Sequence, residues 1–214
     1  ITGRVTVGTN ALPVAYIISV GGSYCNGGAG SDISLGGSQA GVNYQLYNGG
    51  TMVGSAMTGT GSALDFGMQT AAGTYMIVAA DGATLCSNSM TGAASVVVNP
   101  LPAAYSVTGG GNYCSGTTGV HVMLAGSGVG TTYRLLKDGT AVSGPVTGTG
   151  LGLDFGPQTG SGAYMVVATN TATTCSGDMT GSVGVGINPL PTPYVVAGSG
   201  STYCAGGTGI DITL

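Results

Sequence analysis

The chain has 214 residues, of which 5% are charged and 44 are glycine, and three basic against seven acidic side chains give a net charge of −4. Ordinary soluble domains carry about 25% charged residues, and the few cations here leave no electrostatic footprint for nucleic acid or for an anionic membrane surface. The 43% hydrophobic content and mean hydropathy of +0.40 exclude the polar, charged composition of a disordered chain. Glycine lacks the three-residue period of collagen, and no apolar run approaches the ~18 residues that would span a membrane.

The sequence repeats with a period of 89. Asn99-Pro100-Leu101-Pro102 returns as Asn188-Pro189-Leu190-Pro191, with a decayed copy at Asn10-Ala11-Leu12-Pro13, and Leu64-Asp65-Phe66-Gly67 returns as Leu153-Asp154-Phe155-Gly156. A constant long period marks tandem copies of one folding unit. Residues 1–13 therefore read as the last strand and linker of a preceding repeat. Residues 14–102 and 103–191 read as two complete repeats, and 192–214 as the first strands of a following one that stops inside a strand-like run. On this reading the chain is a window on a longer polypeptide.

In the first full repeat, alternating apolar residues predict strands over 15–20, 32–35, 43–47, 52–57, 63–66, 74–79 and 94–98, matched in the second by 121–124, 132–136, 163–168 and 183–187. Asn48-Gly49-Gly50 and Lys137-Asp138-Gly139 occupy equivalent positions and supply the residues that hairpin turns need. No stretch has the 3.6-residue periodicity of a helix. Short strands with turns about every ten residues predict an all-β fold: tandem immunoglobulin-like antiparallel β-sandwiches of about 89 residues, without the Trp of antibody domains. Gly73-Thr74-Tyr75 and Gly162-Ala163-Tyr164 open the penultimate strand. Each Tyr is either a tyrosine corner, its phenol bonding back to the preceding loop, or an ordinary interior side chain. The two prolines of Asn-Pro-Leu-Pro fix two φ angles, so consecutive repeats should stack end to end.

Cysteines follow the repeat. Cys25 and Cys86 fall in the first copy and Cys114 and Cys175 in the second, 61 residues apart in each. Cys204 heads the third copy and its partner would lie past Leu214. The matched spacing predicts Cys25–Cys86 and Cys114–Cys175 disulfides, with Cys204 unpaired in this segment, and an oxidising compartment. Zinc is excluded as the alternative, because one His and no CxxC cannot assemble four ligands.

Catalytic chemistry finds few residues to use. His121 is the only histidine and sits in an alternating strand run, with Asp32 and Asp211 at its position in the other copies. Asp65 and Asp154 recur, but they belong to different repeats, and each follows a Gly-Thr-Gly turn where bonding to local backbone N–H groups is the expected role, with calcium ligation as the alternative. Gly27-Gly28-Ala29-Gly30-Ser31-Asp32 and Gly206-Gly207-Thr208-Gly209-Ile210-Asp211 match the start of a calcium-binding nonapeptide. That site requires consecutive nine-residue turns, whereas here the match occurs once per copy and is broken in the middle one. There is no GxGxxG, P-loop or GxSxG. The 11 tyrosines could stack on sugars, but their fixed strand positions favour packing.

The motifs Tyr24-Cys25, Gly41-Val42-Asn43-Tyr44-Gln45-Leu46-Tyr47, Leu64-Asp65-Phe66-Gly67, Gly73-Thr74-Tyr75, Met90-Thr91-Gly92 and Asn99-Pro100-Leu101-Pro102, at this spacing, resemble the Ig-like repeats of giant Bacteroidota surface proteins. Those include gliding-motility-type adhesins and other proteins exported by the type IX route. The likeness covers the whole chain. Departures are Ala11 for the first linker proline and His121 for Asp. The resemblance implies an extracellular or cell-surface protein. The expected function is a non-enzymatic structural segment of a long fibre, filament or adhesin stalk, without metal or cofactor. Its partners would be neighbouring repeats and further copies of itself in a fibre, since a surface with so few charged residues has little repulsion between neighbours. The rival reading is an adhesion module whose domains themselves bind glycans or another cell surface.

Overall fold

The computed structural model describes residues 3–200 and 202–214. Ile1 and Thr2, which open the 1–13 segment, and Ser201, in the 192–214 segment, lie outside the described residues. No helix occurs among the described residues.

The first sandwich comprises β1 (Ile18–Val20), β2 (Gly22–Cys25), β3 (Ser31–Leu35), β4 (Val42–Asn48), β5 (Thr51–Thr58), β6 (Leu64–Gln69), β7 (Gly73–Asp81), β8 (Ser87–Ser89) and β9 (Ala94–Asn99). The second comprises β10 (Val107–Gly109), β11 (Gly111–Cys114), β12 (Val120–Leu124), β13 (Thr131–Lys137), β14 (Thr140–Ala141), β15 (Val146–Thr147), β16 (Leu153–Gln158), β17 (Gly162–Asn170), β18 (Ser176–Asp178) and β19 (Val183–Asn188). One sheet of the first sandwich runs β1-β3-β6 and the other β2-β9-β7-β4-β5, with β8 also on β7; the second sandwich repeats this order. Two sheets so connected form an Ig-like β-sandwich. The counterpart of β5 is split into β14 and β15 because Pro145 stands where Ala56 does. Proline cannot donate to the sheet ladder.

The sheets are antiparallel except for one parallel pair in each sandwich, β2 on β9 and β11 on β19. These pairs arise because the first strand changes sheets at a glycine. Gly21 and Gly110 have φ of +89° and +71°. A Cβ on Gly21 would lie 2.8 Å from the Ser95 carbonyl oxygen, and one on Gly110 2.7 Å from that of Gly184. A side chain fits neither place.

The core follows from strand alternation, since residues two apart share a face. Ile33, Leu35, Tyr44, Leu46, Tyr75, Ile77 and Val96 are buried in the first sandwich, and Val122, Leu124, Tyr133, Leu135, Tyr164, Val166 and Val185, one period later, in the second. Burying each such aliphatic side chain contributes about 1.5–3 kcal/mol. The Met-Thr-Gly motif closes the core at one end. Met90 and Met179 are buried, and their sulfurs accept the backbone N–H of Tyr16 and Tyr105 at 3.4 Å. Residues 192–214 contribute β20 (Ala197–Gly198) and β21 (Ile212–Thr213). They pair antiparallel, Ala197 with Thr213 and Gly198 with Ile212, as Thr108 pairs with Met123 and Gly109 with Val122.

Candidate functional site: the junction between repeats

The feature with most chemical content lies between the repeats. β9 ends at Asn99, and β2 runs parallel to it so that Cys25 stands opposite Asn99. The next N–H, that of Asn26, donates to the Asn99 carbonyl at 2.8 Å. Cys25 is thus fixed where the chain leaves the first sandwich. In the second sandwich, the turn between β17 and β18 presents Cys175. Asn170 Oδ1 accepts the N–H groups of Ala172 and Thr173 at 2.9 and 3.1 Å, and the Asn170 N–H donates to the Cys175 carbonyl at 2.9 Å. Thr174 there holds φ of +60°. The linker passes over this turn, and a Cβ on Gly177 would touch Leu101 Cβ at 3.8 Å and Pro102 Cδ at 4.0 Å.

Cys25 and Cys175 are joined by a disulfide with a Cα–Cα distance of 5.5 Å, across 150 residues of sequence. The expected Cys25–Cys86 and Cys114–Cys175 pairs are not formed; Cys86, Cys114 and Cys204 carry free thiols. Strand geometry gives the reason. Gly22 reaches Gly73 through their shared partner Val96, so Cys25 lies beyond the Gly73 end of β7. Cys86 adjoins Ser87, which pairs with Ala80 at the other end. The nine residues of β7 separate the two cysteines by at least roughly 25 Å, at ~3.3 Å per residue. A disulfide requires Cα atoms within about 7 Å. The linker residues Asn99-Pro100-Leu101-Pro102 are spanned by the bond, whereas Asn188-Pro189-Leu190-Pro191 are not.

The other marked residues stabilise local backbone. Tyr75 Oη donates to the Ala71 carbonyl and Tyr164 Oη to that of Gly160, each at 2.8 Å. Both are tyrosine corners, and burial raises the pKa of each phenol. Asp65 Oδ1 accepts the Gly67 N–H at 2.6 Å and Asp154 Oδ1 that of Gly156 at 2.8 Å. Gln69 and Gln158 donate to the carbonyls of Phe66 and Phe155. The Leu-Asp-Phe-Gly-x-Gln motif is therefore a self-bonded bend.

His121 Nδ1 lies 2.8 Å from Asp154 Oδ2, with both side chains about half exposed. The Gly156 N–H, and then His121, hold Asp154 below the ordinary carboxylate value. In the first sandwich the position of His121 is Asp32, which desolvation and then Asp65 hold above it. No cluster of three metal-ligating side chains occurs among the described residues.

Sequence reading did not single out Ser38 and Ser127, although both are serine at the repeat spacing. Each is buried. Their Oγ atoms accept the N–H of Thr60 and Thr149 at 3.0 Å and donate to the carbonyls of Ser62 and Leu151 at 2.6 Å. A groove of about 510 Å³ opens on the outer face of the second sandwich, with Arg134, Leu136, Pro145 and Val167 among its walls. It exists because the split of β14 from β15 uncovers β13.

No protein-family model matches the chain, and no curated protein matches it. Among solved structures it is similar to the fibronectin(III)-like modules of Clostridium thermocellum CbhA, at 16% identity over 84% of this chain and 99% of that one, with a TM-score of 0.38. It is also similar to murine CEACAM1b, at 11% identity over 80% and 100%, with a TM-score of 0.39. Sidekick-1 immunoglobulin domains 1–4 are similar at 9% identity over 87% of this chain and 50% of that one, with a TM-score of 0.37.

Proposed function

We propose that the chain is a non-enzymatic structural segment of a long extracellular fibre or adhesin stalk, of the kind that the giant Bacteroidota surface proteins carry. In this reading Ig-like repeats of 89 residues are stacked end to end and each junction is held covalently. The observation that carries it is the Cys25–Cys175 bond, which joins one sandwich to the next across the linker. Such a bond resists bending and pulling at the junction, and it suits an oxidising, extracellular-type compartment, where disulfides form and persist. Small-angle scattering of the purified chain, with and without reductant, tests the proposal. The expected result is a narrow, elongated two-domain envelope that broadens on reduction. An envelope indifferent to reductant, or two sandwiches folded side by side, would count against it.

Self-association into a fibre is part of the same proposal. The edge strand β5 (Thr51–Thr58) has no charged residue to block pairing. Beside it, Met52 and Met76 flank Tyr47 in register and are exposed. Analytical ultracentrifugation of wild type against Met52→Lys checks this, the expected outcome being loss of higher assemblies in the variant. The rival adhesion reading draws on one observation, the groove beside Arg134. Glycan-array binding that Arg134→Ala abolishes would favour the rival.

A further inference from the structure

We infer that Cys114 and Cys86 are the two halves of the same junction that Cys25 and Cys175 complete, each taking the opposite cysteine of an adjacent repeat in the same polypeptide. Cys114 would bond the counterpart of Cys175 one repeat onward, and Cys86 the counterpart of Cys25 one repeat back. The inference rests on the stacked-repeat reading and makes every junction covalent.

The geometry on each side is already built. Cys114 stands opposite Asn188 in the parallel pair β11–β19, as Cys25 stands opposite Asn99. The Ser115 N–H donates to the Asn188 carbonyl at 2.9 Å, matching Asn26 on Asn99 at 2.8 Å. The same four-residue linker follows in each case. Cys86 sits on a turn built like that of Cys175. Asp81 Oδ1 accepts the N–H groups of Ala83 and Thr84 at 2.8 and 2.9 Å. The Asp81 N–H donates to the Cys86 carbonyl at 2.9 Å, and Leu85 holds φ of +60°. Exposure differs in the direction that a missing partner requires. Cys175 is buried and Cys25 half-buried, whereas their unbonded counterparts Cys86 and Cys114 are half-buried and exposed.

The partner of Cys114 should come from the chain beyond its own linker. Residues 192–214 already pair in the register of the first strands of a sandwich. In a separate molecule the linker's place beside the Cys86 turn is already taken by that molecule's own leading segment. Asn88 Nδ2 donates there to the Pro13 carbonyl at 2.7 Å, where Gly177 meets Pro102 in the closed junction. Each new bond joins two thiols with loss of two protons and two electrons. A disulfide oxidant takes these up by thiol–disulfide exchange and is itself cleaved to two thiols.

The test extends the full chain after Leu214 with a copy of residues 125–191, which completes a third sandwich and supplies a counterpart of Cys175. The protein is oxidised with a glutathione redox buffer and its bonds are mapped by non-reducing peptide mass spectrometry. The expected result is Cys25–Cys175 intact, Cys114 bonded to the appended cysteine, and Cys204 free; the variant Cys204→Ser leaves this map unchanged. A bond from Cys204 to the appended cysteine, a free Cys114, or disulfide-linked multimers through Cys86 and Cys114 would overturn the inference while leaving Cys25–Cys175 in place. Loss of Cys25–Cys175 in favour of Cys25–Cys86 would overturn the stacked-repeat reading as well. Should the completed sandwich fail to fold, a second extension, with residues 103–191 placed directly after Pro191, offers the partner on a repeat copied whole and is read in the same way.

Discussion

Replacing Cys175 with serine distinguishes a bond between repeats from a bond within one, because the two arrangements destabilise different sandwiches. With Cys25–Cys175 in place, unfolding either sandwich alone leaves roughly 75 residues as a loop pinned at both ends. In the chain-entropy model, closing a loop of that length is worth about 4 kcal/mol. That is a large share of the ~5–10 kcal/mol that typically stabilises a domain of this size. At about 4–8 °C per kcal/mol, it corresponds to a fall of roughly 15–30 °C in Tm. Cys175→Ser should therefore lower both calorimetric transitions, and so should Cys25→Ser, although each substitution lies in only one sandwich. Cys86→Ser should move neither. Differential scanning calorimetry with the remaining thiols alkylated reads all three variants. A bond between repeats is refuted if Cys175→Ser weakens the second sandwich alone and Cys25→Ser the first alone, which is the pattern of bonds within repeats.

Tyr75→Phe and Tyr164→Phe each remove one phenolic hydrogen bond and should cost about 1 kcal/mol in the sandwich that carries them, read from urea midpoints. Gly21→Ala and Gly110→Ala place a Cβ against a carbonyl at positive φ. Each should cost about 2 kcal/mol or more and should loosen the parallel strand it precedes, seen as faster hydrogen exchange at 22–25 or 111–114. The acid limbs of the two sandwiches should differ in sign. Asp32 is raised above the ordinary 3.8 by burial and Asp65, so the folded state binds the extra proton there and its penalty is relieved as pH falls through the raised value. Asp154 is lowered by the Gly156 N–H and His121, so its contribution is present above 3.8 and is lost as pH falls through the lowered value. Asp32→Asn should raise the first transition at pH 7 and leave it unmoved in acid, whereas Asp154→Asn should lower the second transition at pH 7.

The strands were legible where side chains alternate. Runs such as 43–47 and 74–79 lie inside β4 and β7 because burial on one face requires that pattern. β2 and β11 were not legible. Gly22-Ser23-Tyr24-Cys25 and Gly111-Asn112-Tyr113-Cys114 have no apolar alternation, and their strand character comes from a parallel partner some 75 residues away. The turn strands β8 and β18 are three residues each and too short to carry a period. The roles of Asp65 and Asp154 were legible because their bonds are local, whereas Gly-x-Tyr fits both a corner and an interior side chain, so the Tyr75 and Tyr164 bonds were legible only as one of two readings.

The disulfide was misread for a reason built into any tandem repeat. Pairing each head cysteine with the tail of its own copy, or with the tail of the next, gives patterns that are equally periodic. Spacing alone cannot choose between them. The choice is made by β7, which holds Cys25 and Cys86 at opposite ends of one sandwich and so brings Cys25 to the Cys175 turn of the next.

Non-reducing peptide mapping of the 214-residue chain, folded by itself, tests this covalent coupling of neighbouring repeats most directly. Free thiols are blocked before digestion, and the linked peptides are sequenced. The predicted result is one disulfide, Cys25–Cys175, with Cys86, Cys114 and Cys204 recovered as blocked thiols. Recovery of Cys25 linked to Cys86 and of Cys114 linked to Cys175 would contradict it.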